Sequence, residues 1–198
     1  HEINNPLGGI IVYANLLLED TPKDDPRYSN ISKIIRESNR CKNIVKSLLD
    51  FARQSNPVLN KADINIIVTE ALNNIRREDI FNGIEIVEQF GAGLPPANVD
   101  TSQIQEVFEN IIRNGAEIME DSGVLSIQTR LASTNEEIPN LEVVIADTGP
   151  GIPADHLEQI FDPFFTTKKQ GHGTGLGLAV SYGIVERHDG TITAVNRP

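Results

Sequence analysis

Tryptophan is missing altogether, and a single cysteine, Cys41, stands among 198 residues. One thiol cannot close an internal disulfide, so the fold must be held by its core, and the chain suits a reducing compartment. Cys41 falls within a helical pattern and reads as a small core residue. Long apolar runs are lacking too. None approaches the ~20 residues that span a bilayer, and no signal-peptide pattern opens the chain, so no membrane contact is expected of this segment. Cations are scarce: 17 Lys and Arg face 28 Asp and Glu, for a net charge of −11. That argues against nucleic acid or an anionic membrane surface as the main partner, since both bind basic patches. An acidic protein binds a nucleotide only where local dipoles, and usually a metal, offset the phosphates. There is no initiator Met at position 1, so the chain is expected to be a piece of a longer protein, with any membrane anchor or sensor outside it.

What is present suffices for a globular core: 39% of residues are hydrophobic and 23% charged, which excludes a disordered chain. Residues 1–56 read as two helices. Ile3, Leu7, Ile10, Ala14 and Leu17 recur at alternating spacings of four and three, as do Ile31, Ile34, Ser38, Cys41, Val45, Leu48 and Ala52. This is a coiled-coil type of seam. The link TPKDDP (Thr21 to Pro26) is a short polar turn, so the helices should be antiparallel neighbours. One hairpin buries little and two make a four-helix bundle, which predicts a homodimer through residues 1–56. Gln54-Ser55-Asn56-Pro57 reads as a boundary, giving segments 1–57 and 58–198.

The second segment alternates helices and strands. Asp63 is placed to cap a helix with inward Ile64, Ile67, Val68, Ala71 and Ile75. Thr101 or Ser102 could cap a helix carrying Ile104, Val107, Phe108, Ile111, Ile112 and Met119. IEIVEQF (84–90), VLSIQTR (124–130), LEVVIAD (141–147) and GTITAV (190–195) read as strands, and 176–188 as a helix. Mostly antiparallel strands with helices on one face predict an α/β sandwich, and with the hairpin an α+β chain.

Four segments carry chemistry. GHGTGLGL (171–178) runs glycines into a helix start, a backbone arrangement suited to phosphates; it is neither a dinucleotide fingerprint nor a Walker loop. DTGPGI (147–152) puts Asp147 at a strand end, able to accept from an amino group such as adenine N6, with Gly149 and Gly151 letting the turn pass beneath a flat ring. In ENIIRNGAEIM (109–119), Asn110 and Asn114 share one helix face, and amide oxygens are hard ligands suited to a Mg²⁺ held mainly by phosphates. FDPFFTTKK (161–169) offers aromatics to pack a mobile lid, with Lys168 or Lys169 in reach of phosphate.

In order and spacing, these segments resemble the N, G1, F and G2 boxes of sensor histidine kinases, within the ATPase superfamily that includes gyrase, Hsp90 and MutL. HEINNPL, at the start, is similar to the H box on that family's dimerisation hairpin. The resemblance covers nearly the whole chain. It implies a dimeric phosphoacceptor hairpin followed by an ATP-binding domain of the gyrase, Hsp90 and histidine-kinase type. It implies that His1 is the phosphoacceptor, that Glu2 is the neighbouring base, and that Asn5 supports dephosphorylation of the partner. Pro6 would remove the helix bond to the Glu2 carbonyl and bend the helix just past His1. Asn110 takes the position of a catalytic Glu in gyrase-like relatives, and Asn114 would ligate Mg²⁺. Asp147 would hold adenine beside Gly149, Gly151 and Ile152. Phe161, Phe164, Lys168, Gly173, Thr174, Gly175, Leu176 and Gly177 would line the lid and the phosphates.

Two positions depart from the pattern. Gly115 stands where the N box often has Ala, and Glu117 where many members carry a basic residue, with Arg113 or the 168–169 lysines as substitutes. Both ends look short against the family, whose first helix starts earlier and whose last strand follows GTITAV. The implied activity is ATP-dependent phosphorylation of His1 and transfer to an aspartate of a response-regulator receiver domain, in the cytoplasm or at the cytoplasmic face of a membrane. A gyrase- or Hsp90-type ATPase switch and a non-enzymatic nucleotide-binding dimer scaffold are the alternatives.

Overall fold

The structure, a computed structural model, describes residues 2–52, 56–119, 122–132, 140–168 and 173–197. The chain forms two compact units: His1–Gln54 with Pro163–Leu176, and Ser55–Asp162 with Gly177–Pro198.

The first unit is built on a helical hairpin, α1 (Asn4–Glu19) packed on α2 (Pro26–Ala52). The polar link turns as predicted. Pro26 opens α2 where its missing N–H costs nothing, and Asp25 caps it. Its Oδ1 accepts from the Arg27 backbone N–H at 2.8 Å, while the Arg27 guanidinium forks onto both oxygens, the shortest contact being 2.7 Å. The side-chain bond from Arg27 holds the Asp25 carboxyl down at about 2.

Two expectations for the hairpin are corrected. Helix α1 begins only at Asn4, with Glu2 and Ile3 in a turn. Pro6 therefore lies in the first turn, where N–H groups have no intrahelical acceptor. No helix bond to Glu2 is therefore lost. Cys41 is exposed rather than buried, because a two-helix hairpin has no third layer to cover it. The rest of the seam is unevenly covered. Ala14 and Ser38 are buried, while Ile3, Ile10, Leu17, Ile34 and Leu48 remain exposed. The Ala52 side chain and the boundary residues Gln54 and Ser55 lie outside the described set.

In the second unit, α3 (Ile64–Ile75) is capped by Asp63, whose side chain accepts from the Asn65 N–H at 2.8 Å. Every inward position predicted for α3 is buried, and Leu72 with them. A three-stranded sheet runs in the order β2 (Ile84–Phe90), β4 (Gly123–Leu131), β5 (Leu141–Ala146), and a small antiparallel pair joins β1 (Asn60–Ala62) to β3 (Ala97–Val99). Strands β4 and β5 pair antiparallel from Ser126↔Ala146. Strands β2 and β4 are parallel from Ile84↔Gly123, because α4 (Thr101–Met119) crosses over between them. Helices α3, α4 and α5 (Gly177–Arg187) share one core with the sheet, centred on Val68, Leu72, Ile112, Leu125, Ile127 and Ile184.

The α4 cap sits one residue earlier than expected. Asp100 Oδ1 accepts from the backbone N–H groups of Ser102 and Gln103 and from the Ser102 hydroxyl at 2.6 Å, so Ser102 serves the cap rather than being it. Asp100 Oδ2 also accepts from Val58 N–H at 2.9 Å. Its own N–H donates to His188 Nε2 at 3.0 Å, and His188 Nδ1 lies 2.8 Å from the Ile184 carbonyl. GTITAV is not a strand: no ladder includes it among the described residues. What anchors the segment beyond it is a side chain, Asn196, described below.

Candidate functional site

Helix α4 forms the wall on which the predicted residues of the second unit gather. Its buried arc faces the core, leaving Asn110, Arg113, Asn114 and Glu117 half-buried along the other side. At one end of this stretch, the Asn110 amide approaches the first residue of α5: a Cβ placed on Gly177 would lie 3.8 Å from Asn110 Cγ and Oδ1. The amide thus meets a helix N-terminus, where free N–H groups and the dipole favour anions. At the other end, Gly115 lies against the start of the DTGPG turn. A Cβ there would stand 3.0 Å from Leu125 Cδ1, 3.6 Å from Asp147 Cβ and 3.7 Å from Asp147 Oδ2. The departure from Ala at this position therefore has a packing role, since the bare backbone lets the Asp147 side chain come close to α4.

Asp147 is exposed at the end of β5, and its Oδ1 accepts from the Gly149 N–H at 2.8 Å. That bond fixes the carboxylate and leaves it capacity to accept an amino hydrogen. Gly149 leaves room for it, as a Cβ would stand 2.7 Å from Asp147 Oδ1. Gly151 needs glycine twice over, with φ +76° and Asn196 Oδ1 2.9 Å from a Cβ. Ile152, next in the turn, is held by that Asn196: Oδ1 accepts from Ile152 N–H at 2.8 Å and Nδ2 donates to the Ile152 carbonyl at 2.6 Å. Phe161 packs on Tyr182 of α5, with ring centroids 5.6 Å apart.

Two family models match the chain. The model described as the His Kinase A (phospho-acceptor) domain matches residues 1–57, and that of the histidine kinase-, DNA gyrase B-, and HSP90-like ATPase matches residues 99–198. The chain belongs to the histidine kinase-, gyrase- and Hsp90-like ATPase family. With the phospho-acceptor match ahead of it, it is the catalytic core of a sensor histidine kinase. It is 34% identical to the sensor kinase CckA of Brucella abortus over 97% of this chain and 21% of that protein. It is 32% identical to the sensor histidine kinase ZraS of Escherichia coli K12 over all of this chain and 41% of that protein. It thus spans less than half the length of these relatives. Among solved structures, it resembles full-length ShkA in complex with AMPPNP (TM-score 0.71, 25% identity, 94% of this chain and 39% of that one). It also resembles the histidine kinase ThkA in complex with response regulator TrrA (TM-score 0.70, 25% identity, 100% of this chain and 55% of that one).

The other predicted residues of this histidine kinase core lie in the first unit. His1 and Lys169 are outside the described residues, and Glu2 and Asn5 are exposed at the start of α1. In the segment between the F and G2 boxes, the two boxes are locked together. Phe164 N–H donates to the Gly175 carbonyl at 2.9 Å, and a Cβ on Gly175, at φ +67°, would collide with the Phe164 and Phe165 backbone at 2.5–2.7 Å. Phe164 itself takes φ 70°, a conformation unusual for an aromatic residue. Gly173 lies against Thr166 and Lys168, the Thr174 hydroxyl accepts from Leu176 N–H at 3.4 Å, and Leu176 is fully buried.

Arg113, expected as a substitute phosphate contact, is committed elsewhere. Its Nε and Nη2 fork onto Glu78 Oε2 and Oε1 at 3.1 and 2.8 Å. This bond lowers the Glu78 carboxyl below its ordinary range and raises Arg113, which the nearby carboxylates of Glu109 and Glu117 raise further. Glu109, the sequence neighbour of Asn110, is drawn off to Asn74 and Gln105. Three contributors were not legible in the sequence. Glu78 sits in an aperiodic turn and Asn196 beyond the last motif. Thr148, inside the motif, carries no signal for its job, which is to accept from Val124 N–H at 3.0 Å at the start of β4.

Proposed function

We propose that this core binds ATP along α4 and the DTGPG turn, phosphorylates His1, and passes the phosphoryl group to an aspartate of a response-regulator receiver domain. The observation that carries the reading is the convergence on α4: Asn110 beside the α5 N-terminus at one end and Asp147 beside Gly115 at the other. Asp147 would accept from the adenine amino group, with Gly149, Gly151 and Ile152 beneath the ring. Asn110 and the Gly177 end of α5 would face phosphate. Asn114 would contribute an amide oxygen to Mg²⁺, which needs few protein ligands when phosphates supply the rest. When bound, Mg²⁺ would neutralise phosphate charge. The chain's own work is positioning. Phe161, Phe164, Lys168, Gly173, Thr174, Gly175 and Leu176 would form the lid, Glu2 would take or orient the ring proton of His1, and Asn5 would serve the reverse, phosphatase reaction.

The exposed seam residues Ile3, Ile10 and Leu17 support a homodimer through residues 1–56, with the ATP-binding domain over 58–198. No helix among the described residues is long and apolar enough to cross a membrane. A cytoplasmic site of action, free or at the membrane face of a longer parent, belongs to the same proposal. Incubation with γ-labelled ATP and Mg²⁺, wild type beside His1→Ala, tests it. Acid-labile, alkali-stable label that disappears in the variant is expected. Hydrolysis without such label, equal in both proteins, would sink the phosphotransfer reading.

A further inference from the structure

Helix α4 carries four charged side chains, Glu106, Glu109, Arg113 and Glu117, so Arg113 is its only cation. It stands one turn beyond Asn110 and directly before Asn114, on the half-buried side that those amides share. An anion arriving there meets Glu109 and Glu117 on either side of Arg113 in the sequence, and both act electrostatically on its guanidinium. The helix therefore repels phosphate except through Arg113, and the Arg113 fork is already filled by Glu78.

That filling is exchangeable. Carboxylate and phosphate offer a guanidinium the same pair of oxygens, and phosphate offers more charge. The Arg113 and Glu78 side chains keep 32% and 39% of their exposure, so the pair is screened by water and is worth little by itself. Glu78, on losing its partner, would be left in contact with solvent rather than stranded in the core.

We propose that Glu78 is a competitor for Arg113: it holds the guanidinium fork back from the nucleotide, and ATP binding transfers the fork from the Glu78 carboxylate to a phosphate. This rests on the ATP reading above. Glu78 acts only through Arg113, as a positioning residue that weakens the hold on phosphorylated nucleotides and leaves the hold on the base untouched. In a kinase that must release ADP each cycle, such a carboxylate favours departure, because it recaptures Arg113 as the phosphates leave.

The test is equilibrium titration of the full chain with ATP and, separately, with adenosine, for wild type, Glu78→Gln, Arg113→Gln and the double variant. Glu78→Gln should tighten ATP about two- to five-fold, the worth of a solvent-screened ion pair, with adenosine unchanged. Arg113→Gln should weaken ATP about tenfold, as loss of a charge-assisted contact does, again without effect on adenosine. The gain from Glu78→Gln should vanish in the double variant. The proposal is overturned if Glu78→Gln leaves ATP affinity unchanged or weaker, if its gain survives in the Arg113→Gln background, or if adenosine responds equally. Melting temperatures guard against misfolding; should Glu78→Gln melt early, Glu78→Ala carries the same expectation, and Arg113→Gln that binds ATP as tightly as wild type overturns the proposal in either case. Wild type that binds neither ATP nor adenosine fails differently, overturning the nucleotide site itself.

Discussion

Glycine at 149 exists for the sake of its neighbour. A methyl group there would press on Asp147 Oδ1 at 2.7 Å and on Ile118 Cγ2 at 3.0 Å, and the side chain that can yield is the exposed carboxylate. Gly149→Ala should therefore keep its melting temperature within a few degrees while ATP affinity falls tenfold or more; tight ATP binding by the variant would show that Asp147 is not held where adenine needs it. Gly115→Ala sets two effects against each other. Alanine gains up to ~1 kcal/mol of helix propensity, but its Cβ meets Leu125 at 3.0 Å inside a full core. The net change in unfolding free energy should lie within about 1 kcal/mol of zero, read by urea titration. From sequence alone Gly115 stood out only as a departure from the alanine common in the N box. The neighbours that explain it come from β4 and β5, which no local pattern announces. Asp147, by contrast, was legible, since an acid at the end of an apolar run followed by two glycines describes its own surroundings.

Elements were legible where one face is buried. The inward positions of α3 and α4 follow from spacing alone, and β2 was bounded to the residue. Pairing was not legible: β2 and β4 lie parallel because α4 connects them, a fact about the path of the chain rather than about either strand. The α4 cap was missed by one residue, because Thr101 and Ser102 have the favoured side chains but Asp100 has the reach. Asp100→Ala should cost about 1–2 kcal/mol in urea unfolding, as loss of an N-cap does, and should raise amide exchange at Ser102 and Gln103. A cost shared by Ser102→Ala alone would return the cap to Ser102. At the α1–α2 turn, the Asp25 carboxyl titrates at about 2, below its ordinary 3.8. A depressed folded value means that the cap's contribution is whole above the ordinary value and is lost as pH falls through the folded one. The Arg27 amide resonance should accordingly move between pH 4 and 2, and not in Asp25→Asn.

At the scale of the whole molecule, the hairpin presents an apolar stripe that its own chain does not cover. Ile3, Ile10 and Leu17 are each about half or more exposed, and the proposed homodimer would cover this stripe. Leu17→Asp should shift sedimentation from dimer to monomer while helical circular dichroism persists; a variant as dimeric as wild type would move the interface elsewhere. Exposed Cys41, misread as core, belongs to this scale too, since a seam read from one sequence does not say how many chains fill it.

One contact reaches further than its size. Asn196 grips both polar groups of the Ile152 backbone, in the turn beneath the proposed base site, while its neighbour Val195 stands 77% exposed. The segment at 195–196 is thus fastened to the DTGPG turn and open to solvent one residue away. A fluorophore at position 195 would serve as a built-in gauge of occupancy, and a boundary drawn short of Asn196 in a recombinant fragment would unfasten the turn it was meant to preserve.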